Sequence, residues 1–238
     1  MQGILITRPE PGASAFAALL QKEGFRVFLA PMLEYVALPA ALPALAGFQA
    51  VAFTSAEAVR IFAGMTGERS IPVFAVGDAT AEEAGFLGFK KVFSAGGDAG
   101  GLEKLMLSMK KDLDLRRVLH VCGEYLAKNI LPEGIKVRRV VVYKAVPAEA
   151  FSPEVLAALT AGDISTATFF SGRTAAQFTA LLQKGNLQTV AAGLDAVALS
   201  GRVAKELRAL PFRLLRVAAE PNMQSILDIL REKEQNPV

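Results

Sequence analysis

The feature that most constrains this chain is a duplication on the scale of a whole domain. Val51-Ala-Phe-Thr-Ser55 runs into a helical pattern through Ala58, Val59 and Phe62. Ala167-Thr-Phe-Phe-Ser171 runs into one through Ala175, Phe178 and Leu181, its serine 116 positions after the first (171 − 55). A second pair sets Phe74-Ala-Val-Gly77, Thr80 and Phe89 against Val197-Ala-Leu-Ser200, Val203 and Phe212, with an offset of 123 (212 − 89). Short periods make solenoids, whereas an offset this long is the length of a domain. The chain reads as two related α/β units, and a pair of such units has a cleft between them.

Short apolar runs alternate with amphipathic stretches throughout, the pattern of βα units and mainly parallel sheets. Strands are expected near 3–6, 26–29, 50–53, 73–76, 91–93, 118–121, 138–143, 166–170, 196–199 and 214–218, ten in all and five for each unit. The fully repeated portions begin at about Ala50 and Thr166, so the first strand–helix–strand stretch must be completed from the far end of the chain. One domain is then 1–35 plus 146–238, discontinuous, with 36–145 inserted. Leu33-Glu-Tyr-Val36 and Val142-Tyr-Lys-Ala-Val146 are the crossings, extended and flanked by prolines, and suited to pair as a two-stranded hinge.

Composition narrows the chemistry. With 52% hydrophobic residues the 238-residue chain can bury two cores. A net charge of +3 is too small to argue for nucleic acid. One cysteine, Cys122, excludes an internal disulfide framework, and one histidine, His120, removes most metal sites and Ser-His-Asp schemes. Tyr35 to Ala56 carries no charge, long enough for the roughly 20 residues of a span, but Pro39, Pro43, Gly47 and Gln49 interrupt it. With no signal-peptide pattern at Met1–Arg8, a cytoplasmic protein with no membrane segment is expected.

Along nearly its whole length the chain resembles the uroporphyrinogen-III synthase family. The resemblance rests on the order and spacing of Ile6-Thr-Arg-Pro9 with Gly12, Phe53-Thr-Ser55 with Ala58-Val59, Val76-Gly-Asp-Ala-Thr80, Cys122-Gly123 with Ile130-Leu-Pro132, Val142-Tyr143, Phe169-Phe-Ser171 and Glu220-Pro221. It implies two flavodoxin-like parallel-sheet domains joined by a two-stranded connector. It also implies a cyclising lyase that closes hydroxymethylbilane to uroporphyrinogen III, inverting ring D and losing water, with neither metal nor organic cofactor. The expected partners are this substrate and, transiently, the upstream hydroxymethylbilane synthase, with the chain itself a monomer. The rival reading is a non-catalytic two-lobed sensor or binding module, since two α/β lobes on a double hinge describe those as well.

Thr54 and Ser55 sit where a strand yields to a helix, and Thr54-Ser-Ala-Glu57 has capping-box spacing. Helix capping and binding of a substrate carboxylate are compatible uses of these hydroxyls, and Ser171 repeats the argument in the other unit. Thr80 falls in the first turn of a helix that Asp78 is expected to cap, and the resemblance implies that it faces the cleft and is, with Tyr143, a residue the catalysis needs. Its counterpart Val203 has no hydrogen-bonding group, so any such duty is lost or moves to Ser200. Tyr143 stands in a crossing strand, where the resemblance places a cleft-facing tyrosine. A phenol can donate a proton to a departing hydroxyl, though an ordinary pKa of about 10 makes it a weak acid unaided.

Arg202, Lys205, Arg208, Arg213 and Arg216 cluster against the single acid Glu206, and helical spacing puts the first three broadly on one side. They form either a solvated face or a rim that attracts a polycarboxylate, with Arg202 as the binding residue. Arg8, at the end of the first strand, is a further carboxylate-binding residue. Gly96-Gly-Asp-Ala-Gly-Gly101 lacks the Lys-Ser/Thr of a phosphate loop and reads as a flexible loop at the cleft edge. Cys122 and His120 read as core or strand residues.

Overall fold

The protein is described by a computed structural model at residues 3–126 and 128–235. In chain order the first elements are β1 (Gly3–Ile6), α1 (Gly12–Lys22), β2 (Arg26–Leu29), β3 (Leu33–Ala37), β4 (Ala50–Phe53), α2 (Ala56–Met65), β5 (Val73–Ala75) and α3 (Asp78–Phe86). There follow β6 (Val92–Ser94), α4 (Ala99–Ser108), β7 (Arg117–Gly123), β8 (Lys136–Pro147), α5 (Pro153–Ala161) and β9 (Ile164–Phe169). The chain then forms α6 (Gly172–Lys184), β10 (Asp195–Ala198), α7 (Gly201–Lys205), β11 (Leu214–Val217) and α8 (Met223–Gln235).

Two compact units result. The split unit takes Met1–Glu34 with Val146–Val238, and the continuous unit takes Tyr35–Ala145. Their sheets run β11-β10-β9-β1-β2 and β3-β8-β7-β4-β5-β6. Every ladder of the split unit is parallel, as are those joining β8, β7, β4, β5 and β6. The eleventh strand, β3, pairs with β8 at one edge, so the continuous unit's sheet has six strands where five were expected. The chain between the units thus runs as two paired strands, of which β8 spans 12 residues.

Counted within each unit, strand order is 2-1-3-4-5 in the split unit, the flavodoxin order. In the continuous unit, leaving β3 aside, it is 3-2-1-4-5. The two are circular permutants: the β1–β2 pair that opens the split unit corresponds to the β7–β8 pair that closes the continuous one. This is why the repeated sequence starts at β4 and β9 rather than at the amino terminus.

Helices on both faces of each sheet explain the unbroken apolar runs, because successive side chains of a strand enter different cores. Val51 and Phe53 join Val59 and Phe62 of α2, whereas Ala50 and Ala52 join Leu102 and Met106 of α4. In the split unit Leu5 joins Phe178, and Ile4 and Ile6 join Phe16, Leu20, Ile226 and Leu230. The duplication extends to packing geometry. Phe53, Phe62 and Phe89 form a ring triad with centroids 5.4, 6.1 and 6.4 Å apart. Phe169, Phe178 and Phe212 repeat it at 5.1, 6.4 and 6.3 Å. In both, the helix ring and the ring from the loop before the next strand stack, while the strand ring meets each edge-on. Among the described residues no helix is long and apolar enough to cross a membrane, and the uncharged run 35–56 contains the interior strand β4.

Candidate functional site

Open parallel sheets bind ligands outside the carboxyl ends of their strands, where the strand order reverses. In the continuous unit the reversal lies between β4 and β7, and in the split unit between β1 and β9. Ser55 follows β4 and Gly123 ends β7, while Arg8 and Ser171 follow β1 and β9.

At the first of these points Ser55 Oγ accepts the Ala58 N–H at 3.2 Å and lies 2.9 Å from Tyr143 Oη. The capping-box spacing had pointed to Thr54, but the cap is one residue later. Ser55 is the last extended residue (φ −157°, ψ 148°), and Glu57 turns to Arg60 at 2.9 Å instead of back to the cap. Because strand side chains alternate, the two hydroxyls part company. Ser55 goes to Tyr143, whereas Thr54 Oγ1 goes to His120 Nε2 at 3.4 Å. The Tyr143 side chain packs with the α2-side core and Tyr35 meets it edge-on at 5.2 Å.

Tyr143 is seated on Gly123, its register partner across β7 and β8, just after a register shift. A methyl group at Gly123 would lie 2.6 Å from Tyr143 Cζ and 2.9 Å from its oxygen, so only glycine leaves room for the ring. Nothing local in the sequence around Gly123 signals this role, because the ring it seats comes from a different strand.

Thr80 is the third residue of α3 and only 6% exposed, and its hydroxyl makes no hydrogen bond among the described residues. The cap of α3 is Gly77, with no side-chain bond, rather than Asp78. Asp78 is already helical, and its carboxylate accepts from the Ser94 hydroxyl at 2.6 Å. The start of α3 thus offers a buried hydroxyl beside a helix terminus that no side chain caps.

The split unit uses the same positions differently. Ser171 caps α6 by accepting Thr174 N–H at 3.2 Å, and Thr174 Oγ1 donates to Ser171 O at 2.9 Å. Ser200 caps α7 by accepting from Val203 N at 3.4 Å, so the hydroxyl absent from buried Val203 is present at the cap that Gly77 leaves bare. Arg8 lies over the Phe170 ring at 4.4 Å and packs against Gly12, where a methyl would come within 2.5 Å of its Nε. Arg202 is exposed on α7. That helix ends at Lys205, so Arg208 falls in a turn and the expected three-residue face is not helical throughout. Arg213 and Arg216 are engaged with Asp195 at 2.7 Å and Glu232 at 3.5 Å.

His120 is 2% exposed in β7, and burial, with the Arg139 charge adding to it, lowers its pKa to about 4. Burial pushes the Cys122 thiol up, opposed by Arg139, whose Nε lies 3.2 Å from the sulfur. In the glycine-rich loop the Asp98 carboxylate accepts from Gly101 N at 2.7 Å and so occupies the α4 terminus that a phosphate would need. Among the described residues no three His, Cys, Asp or Glu side chains converge as a metal site.

A sequence model of the family described as uroporphyrinogen-III synthase HemD matches residues 14–228. The chain belongs to the uroporphyrinogen-III synthase family. It is a cyclising lyase of tetrapyrrole biosynthesis, which converts hydroxymethylbilane to uroporphyrinogen III with inversion of ring D and loss of water. The family match removes the ground for the non-catalytic sensor reading. The fold agrees with that of the Helicobacter pylori uroporphyrinogen-III synthetase, with 18% identity, a TM-score of 0.63 and coverage of 98% of this chain and 99% of that one. It agrees as well with a mutant uroporphyrinogen III synthase from Thermus thermophilus, with 17% identity, a TM-score of 0.55 and 99% coverage of both. No curated protein matches the sequence.

Proposed function

We propose that Tyr143 is the proton donor of the synthase reaction and that Ser55 prepares it for that task. The carrying observation is the 2.9 Å contact between their oxygens at the strand-order reversal of the continuous unit. Ser55 Oγ accepts the Ala58 N–H and keeps its own proton, which in the proposed arrangement it donates to the Tyr143 oxygen. In this reading the phenol gives its proton to substrate, and the phenolate left behind is stabilised by the Ser55 hydroxyl and the positive end of α2.

Transfer of that proton to the hydroxymethyl group releases water and leaves an electrophilic azafulvenium cation. Ring D attacks it through its substituted carbon to give a spiro intermediate, whose rearrangement inverts ring D. Attack through the other carbon gives uroporphyrinogen I. The choice is one of orientation, and fixing a flexible bilane in advance can supply several kcal/mol of the barrier, of the roughly 7–11 available to well-oriented reactions.

Orientation falls to groups that bind the acetate and propionate arms: Thr54 and Thr80 in the continuous unit, Arg8, Ser171, Ser200 and Arg202 in the split unit. The bare α3 terminus with its buried, unpaired Thr80 hydroxyl is the best supported of these. The two units serve as the two domains, and the enzyme works in the cytoplasm as a monomer that meets the upstream hydroxymethylbilane synthase transiently. Incubation with enzymatically generated hydroxymethylbilane, followed by isomer separation, is the test. Uroporphyrinogen III is expected from the native chain, with its rate lost in Tyr143→Phe. Full kcat/KM in that variant would remove Tyr143 as the donor.

A further inference from the structure

Beyond these groups, the chain's one histidine is buried beside a proposed substrate-binding hydroxyl. His120 stands in β7 opposite Ala52 of β4, and Thr54, the first residue past the end of β4, lies two positions on from Ala52. The imidazole is buried, and its Nε2 lies 3.4 Å from Thr54 Oγ1. Its Nδ1 makes no hydrogen bond among the described residues.

We infer that His120 is a positioning residue, protonated on Nε2 and donating to Thr54 Oγ1, so that the Thr54 hydroxyl turns its own proton toward a substrate carboxylate. The inference rests on the reading of Thr54 as a carboxylate-binding residue. Its physical basis is the inventory of a neutral imidazole, which has one donor and one acceptor nitrogen. A proton on Nδ1 would bury an N–H that no group among the described residues accepts, and would make Nε2 compete for the Thr54 proton. A proton on Nε2 satisfies the donor and leaves Thr54 free to donate. A carboxylate needs donors, so only the second tautomer makes Thr54 useful to the substrate. The depressed pKa keeps the ring neutral at physiological pH, as this arrangement requires.

The presence of a single histidine makes the test direct. In protein carrying ¹⁵N-histidine, the imidazole nitrogen shifts at pH 7 read which nitrogen holds the proton. A neutral ring protonated on Nε2 is expected, and protonation on Nδ1, or an imidazolium, overturns the inference without touching the rest of the mechanism. The kinetic arm uses Thr54→Val, His120→Leu and His120→Gln, whose amide can still donate. Loss of one hydrogen bond to a substrate carboxylate should raise KM about ten- to hundredfold in Thr54→Val. His120→Leu should raise it by a similar factor with kcat within about twofold, and His120→Gln should restore the native value. If Thr54→Val raises KM and His120→Leu does not, the role of His120 is wrong while that of Thr54 stands. If Thr54→Val leaves KM unchanged, the reading of Thr54 itself fails, and this inference falls with it.

Discussion

The Tyr143 phenol oxygen stands 2.9 Å from the Ser55 hydroxyl, whose oxygen in turn accepts the Ala58 N–H of α2. A helix start, a cap and a phenol are thereby joined in series across three elements, β4, α2 and β8. If the phenol supplies the proton, Tyr143→Phe should lower kcat about 10²-fold or more while changing KM little. Ser55→Ala keeps the phenol but removes both its partner and the cap. A smaller loss of kcat, about tenfold, should accompany a stability loss of about 1 kcal/mol. Steady-state rates on fresh hydroxymethylbilane, with urea unfolding of the same proteins, separate the two effects.

Gly123 tests the same site by geometry alone. Its missing side chain is where the Tyr143 ring lies, with Cζ 2.6 Å from the position a methyl would take. The neighbour is a packed aromatic ring, so Gly123→Ala must displace it. The variant should lose a large part of the Tyr143→Phe effect on kcat although the tyrosine is intact. Overpacking should cost about 1–3 kcal/mol as well. Native kcat in a folded Gly123→Ala enzyme would mean that the placement of the ring does not matter to the chemistry.

The duplicated phenylalanine triads predict equivalent energetics in the two units. Phe62 and Phe178 are both fully buried, each between a strand ring and a stacked late ring. Phe62→Ala and Phe178→Ala should each destabilise by about 3–5 kcal/mol, through lost burial and the cavity left behind. Denaturant unfolding followed by fluorescence or circular dichroism measures both. A cost below about 1 kcal/mol at either position would contradict the packing described here.

What the sequence made legible follows from which interactions are local. Strands such as Ala50–Phe53 and Asp195–Ala198 are buried on both faces and so stand out as apolar runs, and all ten expected strands are present. β3 was anticipated only as an extended crossing, because it is largely exposed at a sheet edge and flanked by prolines. Caps were legible in kind but misplaced by a residue, since Thr54 and Ser55 are equally able acceptors and backbone dihedrals decide between them. The same holds for Asp78, which lies one residue inside its helix. The seat of Tyr143 on Gly123 and the meeting of His120 with Thr54 depend on lateral register between strands far apart in sequence. A single sequence carries no local signal for either.

His120 gives the enzyme an acid-sensitive stability of defined sign. Burial lowers its pKa from 6.5 to about 4, so the unfolded chain takes up a proton that the folded one refuses between those values. The unfolded state binds more protons in that window, and stability therefore rises with pH across it. The contribution is fully present above about pH 6.5 and is lost as pH falls toward about 4, a total of about 3 kcal/mol. Between pH 7 and pH 5 native stability should drop by about 2 kcal/mol more than that of His120→Gln, which carries no titrating ring. Urea unfolding at the two pH values gives the comparison, in which titration of the carboxylates common to both proteins cancels. An equal drop in native and variant would show that the imidazole is protonated in the folded state at pH 5, contrary to the effect of burial and of the Arg139 charge.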